Sequence, residues 1–259
     1  MDDSTFLLLY NNSLSQLLHK LKCNMKKNYQ LQNLLRTALL ALMVFVLSPN
    51  QSMSQNSREY IRNAIKEKGQ CRNVAITRYG GDLMLYGRNG YAYKGIPYDL
   101  ASKIDQLHAE GKFIDDIQLT EEGRWIILVG NNGAAWNDIP YELELKLREY
   151  NERNEVITSI AMNDNGEWAI IGTTIFSTSS STISQWLKEG MDSYGQLWTV
   201  HMTEDAIVAV YARGFKYHGE VPYSLKSALR EVSFNVYRLK FAGTAWFIAD
   251  KSGNYRYNM

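Results

Sequence analysis

FIDDIQLTEEGRWIILVGNNGAAWNDIPYELELKLREY, residues 113–150, holds one complete unit of a pattern that runs along most of this 259-residue chain. Three short strand-like runs come first: Phe113 to Thr120, Arg124 to Gly130 and Gly133 to Ile139. The turns between them are Glu121-Glu122-Gly123 and Asn131-Asn132-Gly133, residue types that supply the positive φ of a tight hairpin. The spacing of Leu143, Leu147 and Tyr150 then predicts a helix. Pro140 suits its first helical position, where a missing N–H costs nothing and φ is already near the helical value.

Working outward, the helix start DIPYEL (138–143) recurs as GIPYDL (95–100) and EVPYSL (220–225). Two further helices lack the full motif but keep its phase. SSTISQWLKEG places Ile183 and Leu187 in register, with Ser in place of Pro, and SREYIRNAIKEKG places Ile61 and Ile65. The strand triplets recur too, from RNVAITRY in the first unit to VYRLKFA, AWFIAD and NYRYNM in the last. Ile61, Leu100, Leu143, Ile183 and Leu225 are thus spaced by about 40 residues, a period that signals repeat architecture. Trp125, Trp168 and Trp246 open the middle strands, and Leu83 and Ala206 are read in that place in units one and four.

The fold expected is mainly β with repeated short helices: five units of helix plus three-stranded meander, starting near residues 57, 97, 140, 180 and 222. The first helix and the last strand both keep the apolar pattern of the internal units, whereas an open stack needs polar caps. The expectation is therefore a closed five-bladed, propeller-like ring, with the first helix finishing the blade of the last strands.

The chain ahead of residue 55 reads differently. Lys26, Lys27 and Arg36 precede the apolar run Thr37 to Leu47, too short for the roughly 20 residues of a membrane span and right for a signal-peptide core. Ser52-Met53-Ser54 offers a cleavage site near Ser54/Gln55. The domains expected are an upstream extension at 1–24, a signal peptide at 25–54 and the repeat domain at 55–259, with no stable membrane span after cleavage. Export to a periplasmic or extracellular location follows.

The chain has 28 Lys and Arg and 27 Asp and Glu. Five of those bases (Lys20, Lys22, Lys26, Lys27, Arg36) and two of those acids (Asp2, Asp3) precede residue 55, so the remainder carries about −2. That balance gives no nucleic-acid-binding signature. Cys71 alone remains after cleavage, which excludes an internal disulfide in the repeat domain. His108, His201 and His218 have no metal-ligand spacing, and no cofactor motif appears.

Gly123 to Leu147, GRWIILVGNNGAAWNDIPYELELKL, resembles a group of bacterial exported repeat proteins whose units read G-x-W-x-[IV]…G…[IV]-P-x-x-L-x-x-x-L. The resemblance runs from about Ser57 to the end and implies a β-propeller-like fold. It implies no single activity and carries over no catalytic residue.

Regular repetition without a catalytic cluster favours a non-catalytic domain that binds a protein or glycan through one rim. Aromatic residues of the third strands lie near polar hairpins, a combination suited to a sugar or peptide. The candidate residues are Arg88, Asn89, Tyr93, Asn131, Asn132, Trp136, Arg213 and Tyr217. The alternative is a secreted, glycosidase-like hydrolase with a central carboxylate pair.

Overall fold

The computed structural model describes residues 56–259. The extension expected at 1–24 and the signal peptide expected at 25–54 lie outside the described residues. Five times a helix precedes a three-stranded antiparallel meander. Unit one is α1 (56–68) with β1 (Cys71–Ala75), β2 (Asp82–Tyr86) and β3 (Gly90–Lys94). Unit two is α2 (Tyr98–Ala109) with β4 (Ile114–Leu119), β5 (Trp125–Val129) and β6 (Gly133–Asn137). Unit three is α3 (Tyr141–Glu152) with β7 (Ile157–Met162), β8 (Trp168–Gly172) and β9 (Phe176–Thr178). Unit four is α4 (Ser181–Tyr194) with β10 (Leu197–Met202), β11 (Ala206–Tyr211) and β12 (Gly214–Gly219). Unit five is α5 (Tyr223–Glu231) with β13 (Arg238–Ala242), β14 (Ala245–Ala249) and β15 (Tyr255–Asn258). Each sheet runs in sequence order.

The prolines sit one residue earlier than the spacing predicts. Pro97, Pro140 and Pro222 are N-cap residues with φ near −53° and extended ψ, and their carbonyls accept the first helical N–H groups, from Ala101, Glu144 and Lys226. The ring fixes φ while leaving that carbonyl free to accept, so proline starts the helix without donating anything. In α4, Ser180 replaces it and caps by side chain, accepting the Ile183 N–H at 3.2 Å. The motif leucines Leu100, Leu143 and Leu225 are fully buried.

Each helix covers the seam between two consecutive sheets. Leu100 and Ile104 of α2 pack with Leu83 and Leu85 of unit one and Ile117 and Trp125 of unit two. Leu143 and Leu147 of α3 join Ile126 to Ile160 and Trp168. Leu225 of α5 joins Val208 to Leu239 and Trp246. The same arrangement brings α1 to both ends of the described chain: Ile61 and Ile65 pack with Val74 and Met84 and with Phe247 and Ala249. A fully buried Leu or Ile contributes about 1.5–3 kcal/mol before conformational entropy is subtracted. The first strands lie side by side in order, β1 with β4, β4 with β7, β7 with β10 and β10 with β13, and β1 also contacts β13 and β14.

Strand register revises one alignment. Trp125 pairs with Leu119 and Asn137, and Trp246 pairs with Phe241 and Asn258. In unit four the residue so placed, between Met202 and His218, is Ile207 rather than Ala206. In unit one it is Asp82 rather than Leu83, because Asn73 opposes Leu85 as Asp116 opposes Leu128. The span between the paired positions is six residues in units two and three and five in units four and five, so the place of the turn glycine does not by itself fix the strand start.

Candidate functional site

Four of the five first strands carry the same irregularity. Register shifts between Cys71 and Asn73, Ile114 and Asp116, Ile157 and Ser159, and Leu197 and Thr199 leave Arg72, Asp115, Thr158 and Trp198 outside their ladders. A bulge of this kind frees one side chain from the pleat and re-aims it. Tyr237, directly before β13, holds the equivalent place in unit five.

These residues meet at one end of the first strands. A cavity of about 320 Å³ is lined there by Arg72, Asp115 and Thr158, by Arg238, and by Asn131 and Lys251 from the turns after β5 and β14. Arg238 pairs with Asp115 at 2.6 Å and donates to the Thr158 carbonyl at 2.9 Å. The Arg72 guanidinium lies over the Phe113 ring at 4.6 Å and donates to the Ile114 carbonyl at 3.2 Å, while its Nε has no hydrogen-bond partner. Burial, chiefly, pushes the Arg72 pKa down, against the pull of Asp115. Lys251 sits over Tyr237 at 4.4 Å, and Tyr237 stacks on Trp198 with centroids 4.6 Å apart. Asp250, also in the lining, accepts the N–H groups of Ser252 and Asn254 in its own turn.

Below this mouth the first strands hold a buried polar column. Asn73 donates to Asp116 at 2.7 Å, Lys240 Nζ lies 2.9 Å from the same carboxylate and 3.3 Å from Gln118 Oε1, and Ser159 bonds Thr199 at 3.0 Å. Burial alone would raise the Asp116 pKa, but Lys240 and Arg238 outweigh it and hold the carboxyl below its usual range. His201 Nε2 bonds the Phe241 carbonyl at 3.0 Å, leaving Nδ1 unpartnered. Cys71 is buried, and burial pushes its thiol up to about 12, away from the reactive thiolate form.

At the opposite end, the turns between first and middle strands pass hydrogen bonds from unit to unit. Glu121 accepts the backbone N–H groups of Arg78 and Tyr79, Asp164 accepts that of Glu122, and Glu204 accepts that of Asp164. Arg78 then pairs with Asp205 at 3.0 Å.

The eight residues expected from sequence are distributed as follows. Asn131 lines the mouth. Asn89 donates to the Lys112 carbonyl at 2.8 Å, and Asn132 exchanges bonds with Asn151, so both tie a hairpin to a neighbouring helix end. Tyr93 stacks on Tyr91 and packs over the seam at α2; Trp136 packs over that at α3, under Arg148. Tyr217 stacks on Phe215 with Lys226 over it. Arg88 and Arg213 are exposed in their turns. Arg72, Asp115, Trp198, Tyr237 and Arg238 are additional to that set. No spacing in the sequence singles them out, because the bulges that free Arg72, Asp115 and Trp198 are set by strand register.

Among the described residues no group of three or more His, Cys, Asp or Glu is placed to hold a metal ion, and no helix is long and apolar enough to cross a membrane. No protein-family model matches the sequence, and comparison with curated proteins finds no match.

Proposed function

We propose that the chain is an exported, non-catalytic repeat domain, related to the bacterial proteins it resembles, whose five units close into a propeller-like ring and bind a protein or glycan at the mouth of its axis. Three lines support closure. The fifth unit reaches back to the second and third through Lys240–Asp116 and Arg238 with Asp115 and Thr158. Arg78 of unit one reaches Asp205 of unit four. The α1 helix shares a core with β14.

The observation that carries the binding reading is the excess of cationic groups at the mouth. Arg72, Arg238 and Lys251 face two carboxylates, of which Asp115 is taken by Arg238 and Asp250 by its own turn. The mouth is therefore suited to anionic groups of a ligand, with Trp198 and Tyr237 beside it as a stacking surface. The hydrolase reading has less behind it. Glu121 and Glu204 line a cavity of about 20 Å³ at the other end, room for about one water and not a sugar.

The test is binding of the purified protein to panels of uronate-bearing oligosaccharides and of acidic peptides, repeated with Arg72→Ala/Lys251→Ala. Loss of affinity by about 10–100-fold in the double variant, with weakening as salt rises, is expected. Binding indifferent to both substitutions, or no binding to either panel, sinks the proposal. For export, the expected mature N-terminus lies near Gln55, and an intact Met1 in a cytoplasmic fraction would refute it.

A further inference from the structure

The seam covered by α4 is built like its neighbours but from smaller residues. Facing it, Ala169 holds the register of Ile126 and Phe247, and Thr178 that of Trp136 and Tyr257. Ile207 stands where Trp125, Trp168 and Trp246 stand. In units two and five that tryptophan lies under the start of its own helix, and its indole N–H donates to Asp99 at 2.8 Å or to Ser224 at 2.9 Å. In unit one the place belongs to Asp82, held by Arg58 and Ser57 from α1. Unit four alone fills it with an aliphatic side chain that brings no polar partner to its helix. A cavity of about 420 Å³ opens at this place, within the size range of small-molecule sites.

Its walls define an occupant. Ile183 and Trp186 of α4 and Ile207 supply the apolar sides, and Thr182 occupies the helix position that holds Asp99 in unit two and Ser224 in unit five. Glu167 and Glu204 stand at the edge beside His218, and Asp205, also in the lining, is paired with Arg78. Lys216 lies over the Trp186 ring and is held by Glu189, and no Lys or Arg is itself in the lining. Glu204 gives one oxygen to the Asp164 N–H and Glu167 gives one to Asn163, which leaves each a second oxygen for a ligand.

We propose that this cavity binds a small aromatic amine. The ring takes the place that tryptophan fills in three other units, a ring N–H or O–H meets the Thr182 hydroxyl, and the ammonium lies against Glu204 and Glu167. The site is separate from the mouth: the two linings share no residue.

Tryptamine, indole and indole-3-propionate are the probes, titrated into the purified full-length protein by calorimetry with ligand-detected saturation-transfer NMR. Tryptamine is expected to bind at least about tenfold tighter than indole-3-propionate, with indole between them. Ile207→Trp supplies the missing ring from the protein itself and is expected to abolish tryptamine binding while raising the melting temperature. Should that variant fail to fold, Thr182→Arg, at an exposed position on the rim, is expected to block the same binding with the circular dichroism spectrum unchanged. Arg72→Ala, at the mouth, is expected to leave it unaltered. No tryptamine binding, equal affinity for indole-3-propionate, or full binding in folded Thr182→Arg would each overturn the assignment.

Discussion

Ser159 and Ile160 are neighbours on β7, both buried, and belong to two different interiors. Ser159 bonds Thr199 in the polar column, and Ile160 packs with Leu143 and Trp168 in a seam. The seams accept apolar side chains of different size, which is why Leu83, Ile126, Ala169, Val208 and Phe247 hold one register position in the five successive sheets. The column works by named pairs, Ser159 with Thr199 and Asn73 with Asp116 between neighbouring units and Lys240 with Asp116 between units five and two. Repetition therefore builds the seams, whereas departures from repetition build the column.

The contrast is broken most strongly at Lys240. Replacing it with Met strands the Asp116 charge in a buried site, and a loss of about 3–5 kcal/mol is expected in urea unfolding. Adding Asp116→Asn to that variant is expected to recover more than half of the loss. A cost of Lys240→Met below about 1 kcal/mol would mean that the column tolerates substitution as a seam does.

Acid sharpens the same difference. His201 is held neutral, its pKa pushed down to about 3 chiefly by burial and secondly by Lys240. An unfolded histidine takes up its proton near pH 6.5, so between about 6.5 and 3 the unfolded state binds more protons and stability falls as pH falls. From pH 6.5 to 4.5 this amounts to about 2–3 kcal/mol. His201→Gln is expected to lose that much less than the wild type over the same interval, read as the difference in urea midpoints.

The smallest effect belongs to a seam. Trp125→Phe keeps most of the buried ring and gives up the bond to Asp99, which still receives Asn137 at 2.7 Å. About 1 kcal/mol is expected by thermal unfolding. A loss as large as that of Lys240→Met would show that the seam, too, depends on a specific polar pair.

The seams were legible in the sequence because they follow periodicity. Leu100, Leu143 and Leu225 repeat with the helix starts, so unit boundaries, strand order and helix faces all came from one motif. The column and the mouth were not legible as contacts. Lys240 meets Asp116 only because units two and five are brought together, and nothing in the spacing of either residue specifies the other. The bulges that release Arg72, Asp115, Thr158 and Trp198 have no residue signature either, since they arise from a register mismatch between two strands. Of the residues chosen from the hairpins, Asn131 lines the cavity while Asn89 and Asn132 fasten hairpins to helix ends. Asparagine in a turn looks the same in sequence whether its amide binds the backbone or faces a ligand.

The partnership of α1 with β14 sets a clock on biogenesis. Ile61 and Ile65 are made in the first unit, and Phe247 and Ala249 follow only after three further units and the start of the fifth have been made. At about 5–20 residues per second the nascent helix, covered on one side by Val74 and Met84, waits on the order of ten seconds or more with its other apolar side uncovered. Whatever shields that side in the interval, the ribbon of the fifth unit is the one that retires it.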